Sequence, residues 1–299
     1  MEKILQLDTV RAYNDYFGLP TRHPLVNVVE GNKIDHPVPH ARKRVGMYVI
    51  FLKELKCTDV LTYGRNAYDY QENTMVFIAP GQIFGHPADG TTYKGAGWCL
   101  MFHPDLLRAT PLGRHIKDYT FFTYAAHEAL HLSLQERETI IDCMKKIDAE
   151  INLGGDRHSN TIIASAIELL LNYCTRFYDR QFVTREEINH TVVKKFTDLL
   201  DRYIADKARR EGLPSVAYFA DKCCYSTKYF GELVKTETGR TARDFINDRL
   251  LRAAKQLLAD EELSISQVSQ ELGFEYPQHF VRFFKSQTGK TPSEYRRSA

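Results

Sequence analysis

Short apolar runs separated by turn residues fill the first third of the chain. Four runs rich in Val, Ile, Phe and Tyr lie at residues 25–30, 46–54, 75–79 and 97–103. Pairs such as Gly31-Asn32 and Pro80-Gly81 separate them. Many short strands separated by turn residues favour an antiparallel barrel or jelly roll. The pattern therefore predicts an antiparallel β-barrel within residues 1–130.

The spacing of apolar residues changes to that of helices over residues 131–180. Ser133 and Glu136 are placed as a capping box, and Gly154-Gly155 would end the helix that follows. Its apolar face comprises Ile140, Met144, Ile147 and Ile151. A second stripe comprises Ile162, Ile163, Ala166, Ile167, Leu170, Leu171 and Tyr173. The two helices could pack on the barrel, on each other or on a second subunit; we expect a dimerisation segment and a homodimer.

Polar residues without an apolar period occupy positions 179–190. We predict a linker at 181–190 between two domains. Residues 191–299 would then form a second, entirely helical domain, which makes the chain an α+β protein of two domains.

An internal repeat marks this second domain. KTETGRTARDF at 235–245 is echoed by KSQTGKTPSEY at 285–295, at a constant offset of 50 residues. Gly239 and Gly289 follow apolar runs, where a left-handed residue ends a helix. Thr241 and Thr291 fall where the next helix needs an N-cap. Two copies with the same internal detail predict two copies of one helical unit.

Each copy follows two short helical segments joined by a turn, which is the pattern of a helix-turn-helix. The units lie at about 215–238 and 265–288, and the small residues Ala220 and Ser269 occupy the point where their helices must approach closely. Residues 242–259 read as one long helix between the units. Two helix-turn-helix units at a fixed separation could enter successive major grooves, roughly 34 Å apart, although three-helix units also occur as purely structural parts.

Composition and charge agree with a DNA-binding protein without requiring one. The 299 residues carry a net charge of +2, but residues 191–299 hold 19 lysines and arginines against 15 acidic residues. The six cysteines are scattered, no apolar run is long enough to span a membrane, and no secretory signal is visible. We therefore expect a cytoplasmic location and no membrane partner.

Residues 198–298 resemble the DNA-binding domain of the AraC/XylS family of bacterial transcription regulators. The stretches at 265–274, 279–285 and 288–296 carry the resemblance, which covers about a third of the chain. It implies sequence-specific binding of double-stranded DNA through the second helix of each unit. In the first unit the implied DNA-facing residues are Thr227, Lys228, Gly231, Glu232 and Lys235. In the second they are Pro277, Gln278, Val281, Arg282 and Lys285.

The chemistry of these residues agrees in part with that role. Lys228 and Arg282 can donate to guanine, Gln278 can pair with adenine, and lysines suit phosphates. Two features depart from the family pattern. Cys224 stands in the first turn, where relatives usually have glycine, and Glu232 would repel phosphates unless it accepts from cytosine.

The family commonly joins this domain to a cupin-like sensor barrel, and residues 20–110 resemble one weakly. A rival class is therefore a metal-binding cupin enzyme with an accessory helical domain. Its candidate ligands are His36, His40, His86, His103 and Glu54, but they lack the HxH spacing that a metal cupin needs. We expect no catalytic site, no metal and no cofactor.

The barrel is instead expected to bind a small-molecule effector, with Tyr, Phe and Trp98 lining an apolar pocket. The sequence identifies neither the effector nor the target DNA. It also leaves open whether the protein represses transcription or activates it, in which case RNA polymerase would be a partner.

Overall fold

A computed structural model describes residues 4–34, 36–53, 62–63, 66–67, 73–124, 128–184 and 186–298. The chain divides into two compact units, here called the first unit (residues 1–181) and the second unit (residues 182–299). Within the described ranges, no helix combines the length and the apolarity that a bilayer core requires.

The strands of the first unit form two five-stranded sheets and a two-stranded pair. The larger strands are β2 (Val26–Glu30), β5 (Tyr48–Leu52), β8 (Thr74–Ile78) and β11 (Trp98–Phe102), and they match the four predicted runs within two residues at each end. The shorter strands are β1 (Leu5–Leu7), β3 (Val38–Pro39), β4 (Lys43–Val45), β6 (Thr62–Tyr63), β7 (Asn66–Ala67), β9 (Ile83–Phe84), β10 (Thr92–Tyr93) and β12 (Leu130–His131).

The sheet orders are β12-β8-β5-β11-β2 and β1-β4-β9-β6-β7, with β10 paired to β3. Hydrogen bonds between the described strands leave these sheets separate, so the predicted closed cupin-like barrel is not confirmed. The pairing is not wholly antiparallel either, because β1 runs parallel to β4, with Leu5 opposite Lys43. A helix, α1 (Val10–Tyr16), separates β1 from the later strands, so β1 need not pair as a hairpin.

The predicted helices of the first unit are confirmed. Helix α3 (Leu134–Asn152) begins at the Ser133–Glu136 capping box and buries its predicted face. It packs on β2 and β11, so one face of that sheet is covered and every residue of β11 is buried. Helix α4 (Ser159–Thr184) follows it, and the short helix α2 (Pro111–His115) precedes both.

Residues 181–190, predicted as a linker, are helical on both sides of residue 185. The described part comprises the end of α4 and the start of α5 (Glu186–Asp206). Helix α5 buries Val192, Phe196, Leu200 and Tyr203, one face of a helix at spacings of three and four residues. That spacing is visible in the sequence, but the prediction of the second domain did not use it.

The second unit is entirely helical over its described residues, as predicted. The Phe196 ring of α5 lies 5.2 Å from that of Phe219 and 5.0 Å from that of Phe230, measured between ring centroids. The remaining helices are α6 (Ala208–Glu211), α7 (Val216–Lys222), α8 (Thr227–Thr238), α9 (Ala242–Leu258), α10 (Ile265–Glu271), α11 (Pro277–Thr288) and α12 (Pro292–Ser298). Helix α9 contacts α8 and α10, so it connects the two copies of the repeat.

Candidate nucleic-acid interface

Helices α7 and α8 form the first helix-turn-helix. Serines begin both helices: the amide of Tyr218 donates to Ser215 Oγ, and the amide of Tyr229 donates to Ser226 Oγ, each at 3.3 Å. Such caps satisfy amides that have no partner within the helix. Ala220 is buried, as expected for the residue at the close approach of the two helices.

Helices α10 and α11 form the second helix-turn-helix with equivalent parts. Ser264 and Gln267 make a capping box at the start of α10, and Pro277 occupies the first turn of α11. Ser269 is fully buried at the position equivalent to Ala220. Phe280 and Phe284 are buried on the inner face of α11, which leaves its opposite face to solvent.

The ends of the two second helices repeat in atomic detail. Gly239 and Gly289 have φ angles of 70° and 78°, so both helices end on a left-handed residue as predicted. Thr238 and Thr288 each accept the amide of the residue two positions on, both at 3.3 Å. Thr241 caps α9 and Thr291 caps α12 through the backbone amides of Asp244 and Glu294. The predicted N-caps are confirmed.

The turns also match, despite the different residues in them. Cys224 and Gly273 each donate to the carbonyl three residues earlier, and Tyr225 and Phe274 each donate to the carbonyl five residues earlier, at 2.9–3.0 Å. This pair of bonds around a left-handed residue is a Schellman motif. The departure from glycine at position 224 therefore leaves the geometry of the first turn unchanged.

Solvent can reach every residue that the resemblance assigns to DNA. The fully exposed ones are Thr227, Lys228, Lys235, Pro277, Gln278, Arg282 and Lys285, and the half-exposed ones are Gly231, Glu232 and Val281. Residues on the opposite faces of the same helices, such as Phe230 and Leu233, are buried. Each set thus occupies the outer face of a helix whose inner face packs on its own unit.

The charges on these two faces differ. Helix α8 carries Lys228 and Lys235 but also Glu232, whereas the outer face of α11 carries Arg282 and Lys285 with no carboxylate between them. Lys290 lies just beyond the end of α11 and is exposed. The outer face of α11 therefore offers the more favourable electrostatic surface for a phosphate backbone.

Three exposed residues share the outer faces and were missed by the sequence reasoning. Thr236 lies one turn after Glu232, Ser286 lies one turn after Arg282, and His279 lies three residues before Arg282. The helical period alone would have included them, because residues three and four apart are neighbours on a helix surface.

The histidines proposed as metal ligands have other surroundings. The rings of His40 and His86 stack with centroids 4.5 Å apart, while His103 Nδ1 accepts the amide of Asp105 at 3.2 Å. Glu54 lies outside the described residues. Among the residues that are described, no three His, Cys, Asp or Glu side chains are grouped as metal ligands would be.

A cavity of about 140 Å³ lies in the first unit and is lined by residues from both five-stranded sheets. Tyr13, Phe17, Phe51, Phe84, Tyr93 and Trp98 supply aromatic lining. Lys43 is buried there, and burial lowers the pKa of its ammonium group to about 8. Burial also raises the pKa of the Cys99 thiol to about 12, so this cysteine is not a reactive thiolate.

Comparison with known proteins finds a family match within the second unit. Residues 219–298 match a family model described as a helix-turn-helix domain. The transcriptional regulatory protein YesN of Bacillus subtilis is 36% identical over 98 residues, which cover 32% of this chain and 27% of that protein. The arabinose operon regulatory protein of Salmonella typhimurium is 27% identical over 143 residues, 48% of each chain.

Among solved structures, a transcriptional regulator with an AraC-type DNA-binding domain from Chromobacterium violaceum is similar, with a TM-score of 0.32 and 22% identity. That match covers 36% of this chain and 90% of the other. The chain covers between 10% and 49% of the length of the curated relatives it matches.

Proposed function

We propose that the protein is a sequence-specific DNA-binding transcription regulator of the AraC type, because residues 219–298 match a helix-turn-helix domain and its relatives include the arabinose operon regulatory protein. The observation that carries the proposal is the pair of helices α8 and α11, each ended by a left-handed glycine, packed on one side and exposed on the other. Their exposed faces hold side chains that can donate to base edges and to phosphates.

In this proposal α8 and α11 each enter a major groove. Arg282 contacts guanine through its two parallel donors, Gln278 contacts adenine, and Lys228 contacts guanine for the first helix-turn-helix. Lys235 and Lys285 near the helix ends neutralise phosphates, which adds affinity without sequence preference. Helix α9 holds the two copies apart, so that the two contacted sequences lie about one turn of DNA, 10–10.5 base pairs, from each other.

The first unit would bind a small molecule in its cavity and form the dimer contact through α3 and α4. The aromatic lining of the cavity supports the first role, since ligand sites are concave and mostly apolar. Exposed Leu134, Ile162 and Leu169 on the two helices support the second. A ligand would act by favouring one of two arrangements of the DNA-binding units.

Selection from a library of random duplexes by the full chain tests the DNA-binding proposal directly, because the selection itself identifies the target sequence. We expect enrichment of two short conserved blocks whose centres lie about 10 base pairs apart. Binding to the selected duplex should weaken steeply with salt and exceed binding to a scrambled duplex. Retention of the library without any enriched sequence would contradict sequence-specific recognition.

A further inference from the structure

Lys43 is a buried cation without a carboxylate partner among the described residues. The residue is 2% exposed, and within those residues its ammonium group has one hydrogen-bond acceptor, the carbonyl of Ala41 at 3.2 Å. An ammonium group has three donors. Moving a charge out of water is unfavourable unless it is paired, so this position calls for an anion that the described residues of the first unit do not supply.

Aromatic rings surround the same ammonium group. It lies 5.6 Å from the ring centroid of Tyr16, 5.8 Å from that of Phe17 and 5.7 Å from that of Tyr93. Contacts with ring faces stabilise a cation but do not neutralise it. Burial by these rings lowers the Lys43 pKa to about 8, so the lysine is still largely protonated at neutral pH.

The cavity around Lys43 has a one-sided charge. Its described lining includes Lys43, Lys53 and Lys94 and contains no Asp or Glu. Lys53 is also buried, at 4% exposure. The rest of the lining is largely aromatic and apolar, which suits the body of a ligand, while Lys43 suits an anionic group.

His40 adds a buried polar atom to this lining. Its ring lies 5.6 Å from that of Tyr93, the ring that also contacts Lys43. Its Nδ1 is 2.8 Å from the Thr91 hydroxyl, whereas its Nε2 is buried and has no hydrogen-bond partner within the described part of the chain. Buried polar atoms of this kind are rare in folded proteins, and many are satisfied by a ligand or a water.

The size of the cavity restricts the ligand. A cavity of about 140 Å³ is comparable to the apolar cavity of roughly 150 Å³ that accepts benzene in an engineered protein. A single ring or a short branched chain therefore fits inside it.

We propose that the effector of this protein is a small molecule with a compact apolar or aromatic body and a carboxylate group, and that Lys43 binds this carboxylate. This inference rests on the proposed role of the first unit as the effector-binding unit. The carboxylate accepts from the two ammonium donors that the Ala41 carbonyl leaves over, and the body packs between the aromatic rings of the cavity.

The test compares charged and neutral molecules of the same shape on the unaltered full chain. Benzoate, phenylacetate and cyclohexanecarboxylate are titrated by calorimetry beside their amides, and the melting temperature is measured with each. We expect at least one carboxylate to bind about tenfold or more tightly than its amide and to raise the melting temperature. Equal binding of acid and amide, tighter binding of the amide, or no binding of any carboxylate would overturn the proposal.

Lys43→Met removes the charge and keeps most of the stem, and it should remove the preference for the acid. The matched control is Lys33→Met, an exposed lysine paired with Glu30 outside the cavity, which should keep that preference. A Lys43→Met variant that unfolds cooperatively and still prefers the acid would overturn the role of Lys43. These titrations contain no DNA, so a negative result does not contradict the DNA-binding proposal. A duplex selection without enrichment likewise does not contradict the carboxylate proposal.

Discussion

Cys224 and Gly273 have the same left-handed backbone conformation in the turns of the two helix-turn-helix units, with φ angles of 65° and 83°. Their surroundings differ. Cys224 is exposed, whereas a Cβ at position 273 would lie 2.6 Å from the Ala208 carbonyl oxygen and 2.7 Å from the carbonyl of Gly212. The left-handed φ favours glycine in both turns, and only the second turn also lacks room for a Cβ.

Opposite effects on stability are expected from exchanging these residues. Cys224→Gly should stabilise slightly, by about 0.5 kcal/mol, because relief of left-handed strain exceeds the added freedom of the unfolded chain. Gly273→Ala should destabilise by more than about 2 kcal/mol, because strain and overlap with backbone atoms add. Urea unfolding of the three proteins measures both differences.

Gly239→Ala is the control for strain alone. Its φ is 70°, yet nothing lies within 4 Å of an added Cβ. A cost of about 1 kcal/mol is expected there. If Gly273→Ala were no more costly than Gly239→Ala, the close approach of Ala208 and Gly212 would have no energetic consequence.

Arg282 and Lys285 are expected to contribute differently to DNA binding. Arg282→Ala should cost about 1–3 kcal/mol on the selected duplex and relax discrimination at one base position. Lys285→Ala should weaken binding on all duplexes and reduce the slope of affinity against salt by about one ion. Titrations on the selected duplex and its single-base variants over a salt series separate the two effects. A uniform loss for Arg282→Ala would make Arg282 a phosphate contact.

Glu232 is expected to weaken DNA binding by the first helix-turn-helix. It lies half-exposed between Lys228 and Lys235 on the outer face of α8. Removal of the carboxylate charge in Glu232→Gln should strengthen DNA binding about fivefold at low salt. The repulsion between two charges at contact distance in water is worth about 1 kcal/mol. The gain should shrink as salt rises.

Glu261→Gln is the matched control, because Glu261 is exposed between α9 and α10, outside both outer faces. It should change affinity little. Weaker binding by Glu232→Gln confined to duplexes with one particular cytosine would instead identify Glu232 as a base contact.

The pKa of Lys43 predicts how stability depends on pH. Burial lowers this pKa to about 8, against about 10.4 in an unfolded chain. Between these values Lys43 binds more protons in the unfolded chain than in the folded one, so its contribution to the free energy of unfolding rises with pH by up to roughly 3 kcal/mol. Relative to Lys43→Met, the unaltered protein and Lys33→Met should therefore gain stability from pH 7 to 10, measured as urea midpoints.

Other buried groups titrate with the opposite sign in this window. Burial raises the pKa values of Tyr13, Tyr16, Tyr93 and Cys99 above their unfolded values of about 10 for tyrosine and about 8.5 for cysteine, so these groups lower stability as pH rises. Lys43→Met keeps all of them, so its comparison with the unaltered protein isolates the contribution of the lysine. A bound carboxylate would stabilise the ammonium form of Lys43 and should flatten the rise. Parallel curves for Lys43→Met and the unaltered protein would contradict the lowered pKa.

The sequence by itself determined the parts of the molecule that depend on near neighbours in the chain. Ser133, Thr241, Gly239 and Gly289 act on residues within one helical turn, so the printed residues predict the caps and ends. The 50-residue repeat likewise predicts both helix-turn-helix units and the helices that carry Lys228 and Arg282.

Only the tertiary structure decided what depends on distant residues. The parallel pairing of β1 with β4 depends on how the first unit packs, and no local pattern encodes it. Lys43, Tyr16 and Tyr93 come from three separate elements, and the sequence reasoning did not single out Lys43. A lysine is ordinarily a solvated surface residue, so only its burial among aromatic rings distinguishes this one. Burial is a property of the folded chain, and the charge of the cavity could therefore not be predicted from the order of residues alone.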